Sequence, residues 1–343
     1  MSWLLSLVAR RVAAAALALV ALSVMIFLAT DVLPGDAAGV LGGTDATQTD
    51  RDALRTELGL DRSAAARYLD WAGAALRGDL GTGYVGGRPV SGVLVDTLPN
   101  SLALTVSALV AGVPVAVVAG LLAASRPGGR VDRVIALGAL VAVALPEFVT
   151  AALLVWVFGV LLDLLPEVSL VGLGERPWNS PEVMVLPVAA LAVLAAASTT
   201  RLLRSSALDV GAAPYILAAR MRGVRGVRLA VRHVLPPALA PTVQIVAVLF
   251  GGLIGGAVVV ESIFNYPGIG FELAQAVGNR DVPMVQGLSL ALCAVALGGL
   301  LTGDVIGALI DPRSPSRRPL RPRWSAVCCR RRARRPAAHR GPA

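Results

Sequence analysis

Few side chains in this sequence could take part in chemistry, and most of them are arginines. All 31 basic residues are arginine, and the only histidines are His233 and His339. Glu147 and Asp304 each interrupt a long apolar run, where a carboxylate is costly unless it faces a partner or a solvated pathway. The sequence has no phosphate-binding loop of the Walker A type, no metal-ligand spacing and no Ser-His pair that could meet inside a membrane. We therefore expect no catalytic residue, no bound metal and no cofactor.

Arginine is concentrated in one segment between two apolar runs, residues 216–241, with the sequence ILAARMRGVRGVRLAVRHVLPPALAP. Arg225, Arg228 and Arg232 have the i, i+3, i+7 spacing of one helical face, and Pro236 is expected to end that helix. A helix of this kind could lie on anionic lipid headgroups or contact another protein. Lipid contact explains the arginines, but it does not explain the ordered small residues and the Leu-Pro pair of the same segment. The five arginines are Arg220, Arg222, Arg225, Arg228 and Arg232.

The elements that must position these residues are apolar helices. Hydrophobic residues make up 56% of the chain and charged residues 15%, whereas soluble domains carry about 25% charged residues. Six apolar runs reach roughly the 20 residues that a helix needs to cross a bilayer. We expect an all-α polytopic membrane protein, with the first run retained as a helix rather than removed as a signal peptide. The runs cover about residues 9–30, 98–125, 133–163, 183–203, 238–261 and 283–310.

The arginines also orient these helices. With the N-terminus in the cytoplasm, 23 of the 31 arginines lie inside. Six of the other eight lie in the long loop 31–97, and long loops count little in the positive-inside rule. Both termini are therefore expected in the cytoplasm. The net charge of +9 follows the membrane topology, so no nucleic-acid partner is expected.

This topology divides the chain into four parts. Helices are expected near 49–58 and 64–76 in the polar part between the first two spans. The Arg- and Pro-rich C-terminal tail is expected to be disordered and to lie near anionic lipid. The parts are a first transmembrane helix at 1–30, an external subdomain at 31–97, a five-helix core at 98–312 with a cytoplasmic loop at about 204–236, and a basic cytoplasmic tail at 313–343.

Two features inside the spans could line a pathway or a helix interface. Pro146 is expected to break the third span near the middle of the membrane, which leaves backbone groups that need a partner or water. Glu147 follows it and could face the pathway, or it could pair with an arginine or a backbone group of a neighbouring subunit. The fifth span holds two overlapping small-xxx-small pairs. They favour packing against a partner subunit or the second span, or else a sliding surface. The pairs are formed by Gly251, Gly252, Gly255 and Gly256.

The spacing in the arginine-rich segment resembles the cytoplasmic EAA loop of ABC importer permeases. The matching positions are Leu217-Ala218-Ala219, then Gly223, then Leu235-Pro236. Leu217 stands where the family has Glu, and His233 stands where it has an apolar residue.

Other motifs follow in the order found in the dipeptide/oligopeptide/nickel importer family. They extend from about residue 1 to 313, and their order and spacing resemble the first permease subunit of that family. The motifs are LPGD at 33–36, LGLDR at 58–62, RYLDW at 67–71, RGDLG at 77–81, GRPV at 87–90, LPNSLAL at 98–104, GGAVVVESIFNYPGIG at 255–270, DVPMVQG at 281–287 and IDPR at 310–313.

This resemblance implies a type I ABC importer permease fold and a non-enzymatic subunit in a bacterial cytoplasmic membrane. It implies four kinds of partner: a second homologous permease, two ATP-binding subunits, an extracytoplasmic substrate-binding protein and the lipid bilayer. The chain would form half of a pathway for peptides, with nickel chelates or oligosaccharides as alternatives, and the loop 209–236 would form a coupling helix on the ATPase. A remote alternative is an ion-coupled carrier, which would use Glu147 and Asp304 as ion sites. The implied coupling residues are Leu217, Ala218, Ala219, Arg220, Gly223, Arg225, His233, Leu235 and Pro236.

Overall fold

The structure is a computed structural model that describes residues 2–32, 47–49, 56, 62–172 and 174–310. Within these residues the regular elements are helices, and the only strand-like pairing is an isolated bridge between Thr82 and Pro89. The predicted helix at 49–58, the motif LPGD and the C-terminal tail lie wholly or mostly outside the described residues.

The described residues hold a helix at five of the six predicted spans and a bent pair of helices at the remaining one. Five helices are long and apolar enough to cross a bilayer, and two shorter helices that meet at a bend of 105° lie at the predicted third span. In chain order the helices are α1 (Ser2–Val32), α2 (Ala64–Leu76), α3 (Val90–Ser125), α4 (Arg130–Ala144), α5 (Glu147–Leu154), α6 (Glu182–Gly211), α7 (Pro214–Met221), α8 (Gly226–Leu229), α9 (Leu235–Phe264), α10 (Ile269–Gly278) and α11 (Val282–Ile310).

The third span bends at the Leu145-Pro146 step, as predicted. α4 ends at Ala144 and α5 begins at Glu147. The residue before a proline is pushed out of the helical region, and Leu145 has the extended angles φ −77° and ψ 127°. A π-helical turn, Val155–Leu161, continues α5 to the end of the span.

The second span is longer than predicted. α3 begins at Val90, after Pro89, whereas the predicted span begins at about residue 98. Its 36 residues extend about 54 Å, so its first turns project beyond a hydrocarbon layer of about 30 Å. Val90 and Val93 are buried against α10 and α11. This packing explains why the helix begins eight residues before the predicted span.

The second, fourth and fifth spans form the centre of the bundle. Leu104 of α3, Leu191 of α6 and Leu253 of α9 are buried together there. α3 and α6 approach so closely that a Cβ at Gly112 would lie 2.8 Å from the carbonyl oxygen of Ala192. Small residues at such crossings allow the close packing that holds membrane helices together.

The helix predicted at 64–76 is confirmed as α2, with the same bounds. Tyr68 and Trp71 of α2 pack with Phe27 of α1, and the Tyr68 hydroxyl lies 2.9 Å from Ser23 Oγ. These contacts hold α2 against the second half of the first span.

Candidate functional site

The arginine-rich segment begins as a short helix that ends in a tight turn. α7 starts with Pro214 at its first position, where a backbone donor is not needed. Gly223 follows its C-terminus with φ +84°, and the N–H of Val224 donates to the carbonyl oxygen of Ala219 at 3.1 Å. A left-handed residue at this place satisfies the last carbonyl groups of the helix. We call the end of the bundle that holds this turn and the turn 126–129 the arginine-rich end.

The loop between α6 and α9 has a buried face and an exposed face. Ile216 of α7 is fully buried against Leu229 of α8, so the two short helices hold each other. On the other face the side chains of Leu217, Met221 and Val227 are 60%, 76% and 78% exposed. Contiguous exposure of large apolar side chains is a sign of an interaction site. We call the exposed set the loop surface; it consists of Tyr215, Leu217, Arg220, Met221, Arg222, Arg225 and Val227.

The expectation that Pro236 ends this segment is wrong. From Gly226 the chain stays helical through a π-helical turn, Ala230–Val234, and into α9. The wider turn changes the hydrogen-bond register just before the proline, and Pro236 then lies in the first turn of α9, where a missing N–H is tolerated. Arg225 precedes α8 with φ −140°, so it does not share a helical face with the next two arginines.

The other residues implied by the EAA resemblance lie at the base of the loop. Ala219 is buried and Ala218 is half-buried in α7. His233 and Leu235 are half-buried in the continuous helix, and Leu235 packs against the cluster around Leu203 of α6. Nδ1 of His233 has no hydrogen-bond partner among the described residues. The structure therefore separates the implied residues into a surface set and a supporting set.

Gly223→Ala is expected to destabilise the end of α7 by about 1–2 kcal/mol, because an L-residue is strained in the left-handed region. A Cβ at this position would meet no atom within 4 Å, so the loss comes from backbone strain and not from a clash. Hydrogen–deuterium exchange of the purified protein should show faster exchange at the amides of Arg222 and Val224. Gly223→Asn should restore most of the protection, since Asn tolerates this conformation. Equal exchange in wild type and the alanine variant would contradict the prediction.

Two ion pairs fix the spans at the arginine-rich end. Asp132 of α4 is buried and accepts two hydrogen bonds from Arg204 of α6, at 2.5 and 2.8 Å. The N–H of Gly128 donates to the same carboxylate at 2.8 Å, which ties the turn between α3 and α4 to α6. Arg11 of α1 lies 2.9 Å from Asp304 of α11. Asp304 is therefore paired with an arginine. If Asp304 were an ion site of a carrier, it would have to release this arginine before it could bind the transported ion.

At the opposite end of the bundle, the sequence ESIFNYPGIG forms a turn around Glu261. α9 ends at Phe264, and Asn265 has φ +49°, which turns the chain toward α10. The Glu261 side chain is fully buried, and its Oε2 accepts the N–H of Gly270 at 2.7 Å. A Cβ at Gly270 would overlap the backbone of Val258. Glu261 thus caps the first turn of α10, whose N–H groups have no partner within the helix.

The same turn is fastened to the second span. The hydroxyl of Tyr266 donates to the carbonyl oxygen of Asn100 at 3.0 Å, and the N–H of Ile269 donates to Ser101 Oγ at 2.8 Å. Burial raises the pKa of the Tyr266 phenol, and the nearby Glu261 carboxylate raises it further, so the phenol keeps its proton as a donor. The turn therefore joins α3, α9 and α10 into one unit.

A second buried carboxylate, Asp281, holds the segment before α3 against α11. Its Oδ1 accepts the N–H of Tyr84 and its Oδ2 accepts the N–H of Val85, both at 3.0 Å. Oδ1 also accepts the N–H of Met284 at 3.3 Å, in the first turn of α11. A Cβ at Gly83 would lie 2.7 Å from this carboxylate, so glycine leaves the room it needs. Burial raises the pKa of the Tyr84 phenol, and the Asp281 charge adds to the effect.

Asp281→Ala is expected to lower the free energy of unfolding by about 1–2 kcal/mol, because two loop amides and one helix amide lose their acceptor. Thermal unfolding of the purified protein in detergent measures the change. Asp96→Ala is the control, since Asp96 is exposed and 3.9 Å from Arg176, and exposed pairs of this kind contribute little. An equal change in the unfolding temperature of the two variants would show that the hydrogen bonds of Asp281 do not stabilise the loop.

Glu147 lies at the bend of the third span, against the fifth span. A Cβ at Gly256 of α9 would overlap all three atoms of the Glu147 carboxylate. No hydrogen bond or ion pair to Glu147 occurs within the described part of the chain. A cavity of about 330 Å³ adjoins the carboxylate, and its walls are otherwise apolar. The other lining residues are Val143, Leu145, Pro146, Phe148, Leu194 and Val259.

The four glycines of the fifth span face different neighbours. Gly251 faces α11, where its Cβ would lie 3.6 Å from the carbonyl oxygen of Ala296, and Gly256 faces Glu147. Gly252 and Gly255 are exposed, and a Cβ at either position would meet nothing within 4 Å. Within the described chain, close packing at these glycines is therefore made with the sixth and third spans rather than with the second.

Three polar contacts of the site were missed by the sequence reasoning. Asp281 directly precedes α11, and an acidic residue just before a helix start is a capping signal that the sequence does offer. Glu261 lies inside α9, eight residues before α10, so no local signal predicts its capping role. The Asp132–Arg204 pair joins residues that are 72 positions apart, so no local sequence pattern predicts it.

Comparison with known proteins covers most of the chain. The family model described as binding-protein-dependent transport system inner membrane component matches residues 116–314, and the model of its N-terminal region matches residues 4–105. Both models match within the region that carries the six spans.

Individual relatives match over nearly their full length. A protein of Brucella suis described as a peptide permease is 33% identical over 301 residues, which cover 86% of this chain and 94% of the relative. A peptide ABC transporter permease of Sinorhizobium fredii is 32% identical over 306 residues, which cover 89% of this chain and 97% of the relative. An oligopeptide transport system permease of Bacillus subtilis is 30% identical over 298 residues, which cover 86% of this chain and 94% of the relative. The six-span fold and these matches agree that the chain belongs to the family of binding-protein-dependent transport system inner membrane components, the membrane permeases of ABC transporters.

Proposed function

We propose that this chain forms half of the translocation pathway of an ATP-driven peptide importer. Relatives from Brucella, Sinorhizobium and Bacillus are described as peptide or oligopeptide permeases, and they supply the substrate class. A second homologous permease completes the pathway, and an extracytoplasmic binding protein delivers the substrate. ATP is hydrolysed on two separate subunits, and their closure moves the permease by alternating access.

The observation that carries this proposal is the loop surface. Leu217 and Met221 lie one turn apart on the exposed face of α7, Val227 is exposed in α8, and exposed arginines stand between them in the chain. An apolar centre with a charged rim has the composition of a protein–protein contact. We assign it to the ATP-binding subunit, with the apolar side chains in a groove and the arginines near acidic residues at its edge. His233 and Leu235 then support the loop from below.

The pathway is proposed to run along the exposed side of α9. A side chain that faces lipid is normally large and apolar, but this side presents a glutamine and two glycines. The Glu147 cavity opens on the same side, because Val259 belongs to both. We expect the second permease to cover this side. Its exposed residues are Pro241, Gln244, Val248, Gly252, Gly255 and Val259.

We place the protein in the bacterial inner membrane, with the arginine-rich end and both termini in the cytoplasm. The asymmetry of the arginines supports this orientation. Residues 31–97 then form the external part that meets the binding protein, and residues 313–343 form a basic cytoplasmic tail beside anionic lipid.

The test is purification of the chain from native membranes in mild detergent, followed by mass spectrometry of the proteins that accompany it. We expect a second six-span permease and one or two ATP-binding subunits. The recovered complex, supplied with its binding protein, should carry labelled peptides into vesicles when ATP is present. Recovery of the chain alone, stable and monodisperse, would overturn the proposal.

A further inference from the structure

Glu147 is a carboxylate inside the bundle without a counter-charge in the described part of the chain. It has no hydrogen bond or ion pair there. The arginine on α6 that comes nearest in sequence to its cavity is Arg201, seven residues beyond the lining residue Leu194. Seven residues correspond to about 10 Å along a helix, too far for an ion pair. An unpaired carboxylate at this depth is costly, so the site favours a cation from elsewhere.

The surroundings of Glu147 leave room for a ligand on one side. The backbone of α9 at Gly256 closes the other side by direct contact. The cavity of about 330 Å³ opens past Pro146, Phe148 and Val259, which are exposed. Apolar walls around one carboxylate suit a group with an aliphatic stem and a cationic head.

We propose that Glu147 binds a cationic group of the substrate, an ammonium or a guanidinium, as the substrate passes the bend of the third span. This inference rests on the proposed peptide pathway and adds that the pathway favours substrates with a cationic group. A peptide can supply such a group from its N-terminus or from a lysine or arginine side chain. Glu147 is only partly buried, so the contact is favourable enough for entry and weak enough for release, as transport requires.

The competing role for Glu147 is a fixed ion pair with an arginine of the second permease. When no substrate is bound, the two roles have different effects on the stability of the complex. A fixed pair stabilises the assembled complex at all times, whereas a substrate site contributes only when a cation is bound.

The experiment compares wild type with Glu147→Gln in the complete importer, purified with its partner subunits and placed in vesicles with excess binding protein. The probes are Ala-Lys-Ala and the same tripeptide with norleucine in place of lysine. Each rate is divided by the wild-type rate for the same peptide, so that selection by the binding protein cancels. Glu182→Gln is the matched control, because Glu182 also follows a proline and begins a membrane helix, but at the opposite end of the bundle from the loop surface.

We expect Glu147→Gln to lower uptake of the lysine peptide about fivefold, the equivalent of one modest ion pair. Unchanged uptake of the norleucine peptide would identify the side-chain ammonium as the ligand. An equal loss for both peptides, with an unchanged melting temperature of the substrate-free complex, would identify the N-terminal ammonium. Glu147→Asp should recover the uptake in either case, and Glu182→Gln should transport both peptides normally.

Two results would overturn the inference. One is wild-type uptake of both peptides by Glu147→Gln. The other is loss of both peptides together with a lower melting temperature of the substrate-free complex, which would assign Glu147 to a fixed pair. If the wild-type complex carries neither peptide, the proposed peptide function itself fails, and the inference fails with it.

Discussion

Glu261→Ala is expected to lower the free energy of unfolding by about 3–4 kcal/mol. The substitution removes the acceptor of the Gly270 N–H and leaves a cavity where a fully buried side chain stood. The turn that joins α3, α9 and α10 would then lose its central contact. Thermal unfolding of the purified protein in detergent, followed by circular dichroism, measures the loss.

The effect of Glu261 can be separated from a general sensitivity of this region. Glu261→Gln keeps the size of the side chain and one acceptor oxygen. It should therefore lower the free energy of unfolding by less than half as much as Glu261→Ala does. Gly270→Ala should be nearly as harmful as Glu261→Ala, because its methyl group would overlap Val258. Gln275→Ala, at an exposed position of the same helix α10, should stay near wild type. A Glu261→Ala protein as stable as Gln275→Ala would refute the capping role.

Leu217→Asp combined with Met221→Asp is expected to weaken association with the ATP-binding subunits at least about tenfold. These two side chains lie one helical turn apart on the exposed face of α7 and form the apolar centre of the loop surface. Apolar anchors at the centre of an interface carry most of its binding energy, and a carboxylate there must be desolvated. Co-purification from membranes, with quantification of the bound ATPase, measures the change, and peptide uptake should fall with it.

The control for this pair is Pro127→Asp, which places a carboxylate at an exposed position of the turn 126–129 at the same end of the bundle. Its complex should keep the ATPase. The double variant should itself remain folded, because Ile216 and Leu229 hold α7 from the buried face. Normal ATPase content in the double variant would remove the loop surface from the proposed interface.

The spans could be predicted from the sequence because bilayer thickness imposes a length and an apolar character on each of them. The bend at Pro146 and the bounds of α2 also follow from local rules. The predicted start of the second span is too late, since α3 extends eight residues further toward the N-terminus, where Val90 and Val93 pack against α10 and α11. The π-helical turn before Pro236 was missed for a related reason, as a proline predicts a stop only where the preceding hydrogen bonds cannot shift.

The site was less predictable than the fold. Local spacing identified the arginine loop and Gly223, whose backbone angle depends on its neighbours in sequence. The capping role of Glu261 requires the chain to turn back on itself, and the cavity beside Glu147 requires α4, α5, α6 and α9 to come together. Such contacts depend on tertiary packing, which no window of sequence contains.

The unbroken helix from Gly226 to Phe264 has a mechanical consequence. Its 39 residues extend roughly 58 Å along the helix. A tilt of about 5° at the loop would displace the far end by roughly 5 Å, given that length. Gly256, which touches Glu147, lies well along this helix, and Glu261 stands one turn before its far tip. A tilt of this helix as one body would thus reach the interior carboxylate and the turn around Glu261 together, and its hydrogen-bond ladder departs from the regular α-helical pattern at the π-helical turn and at Pro241.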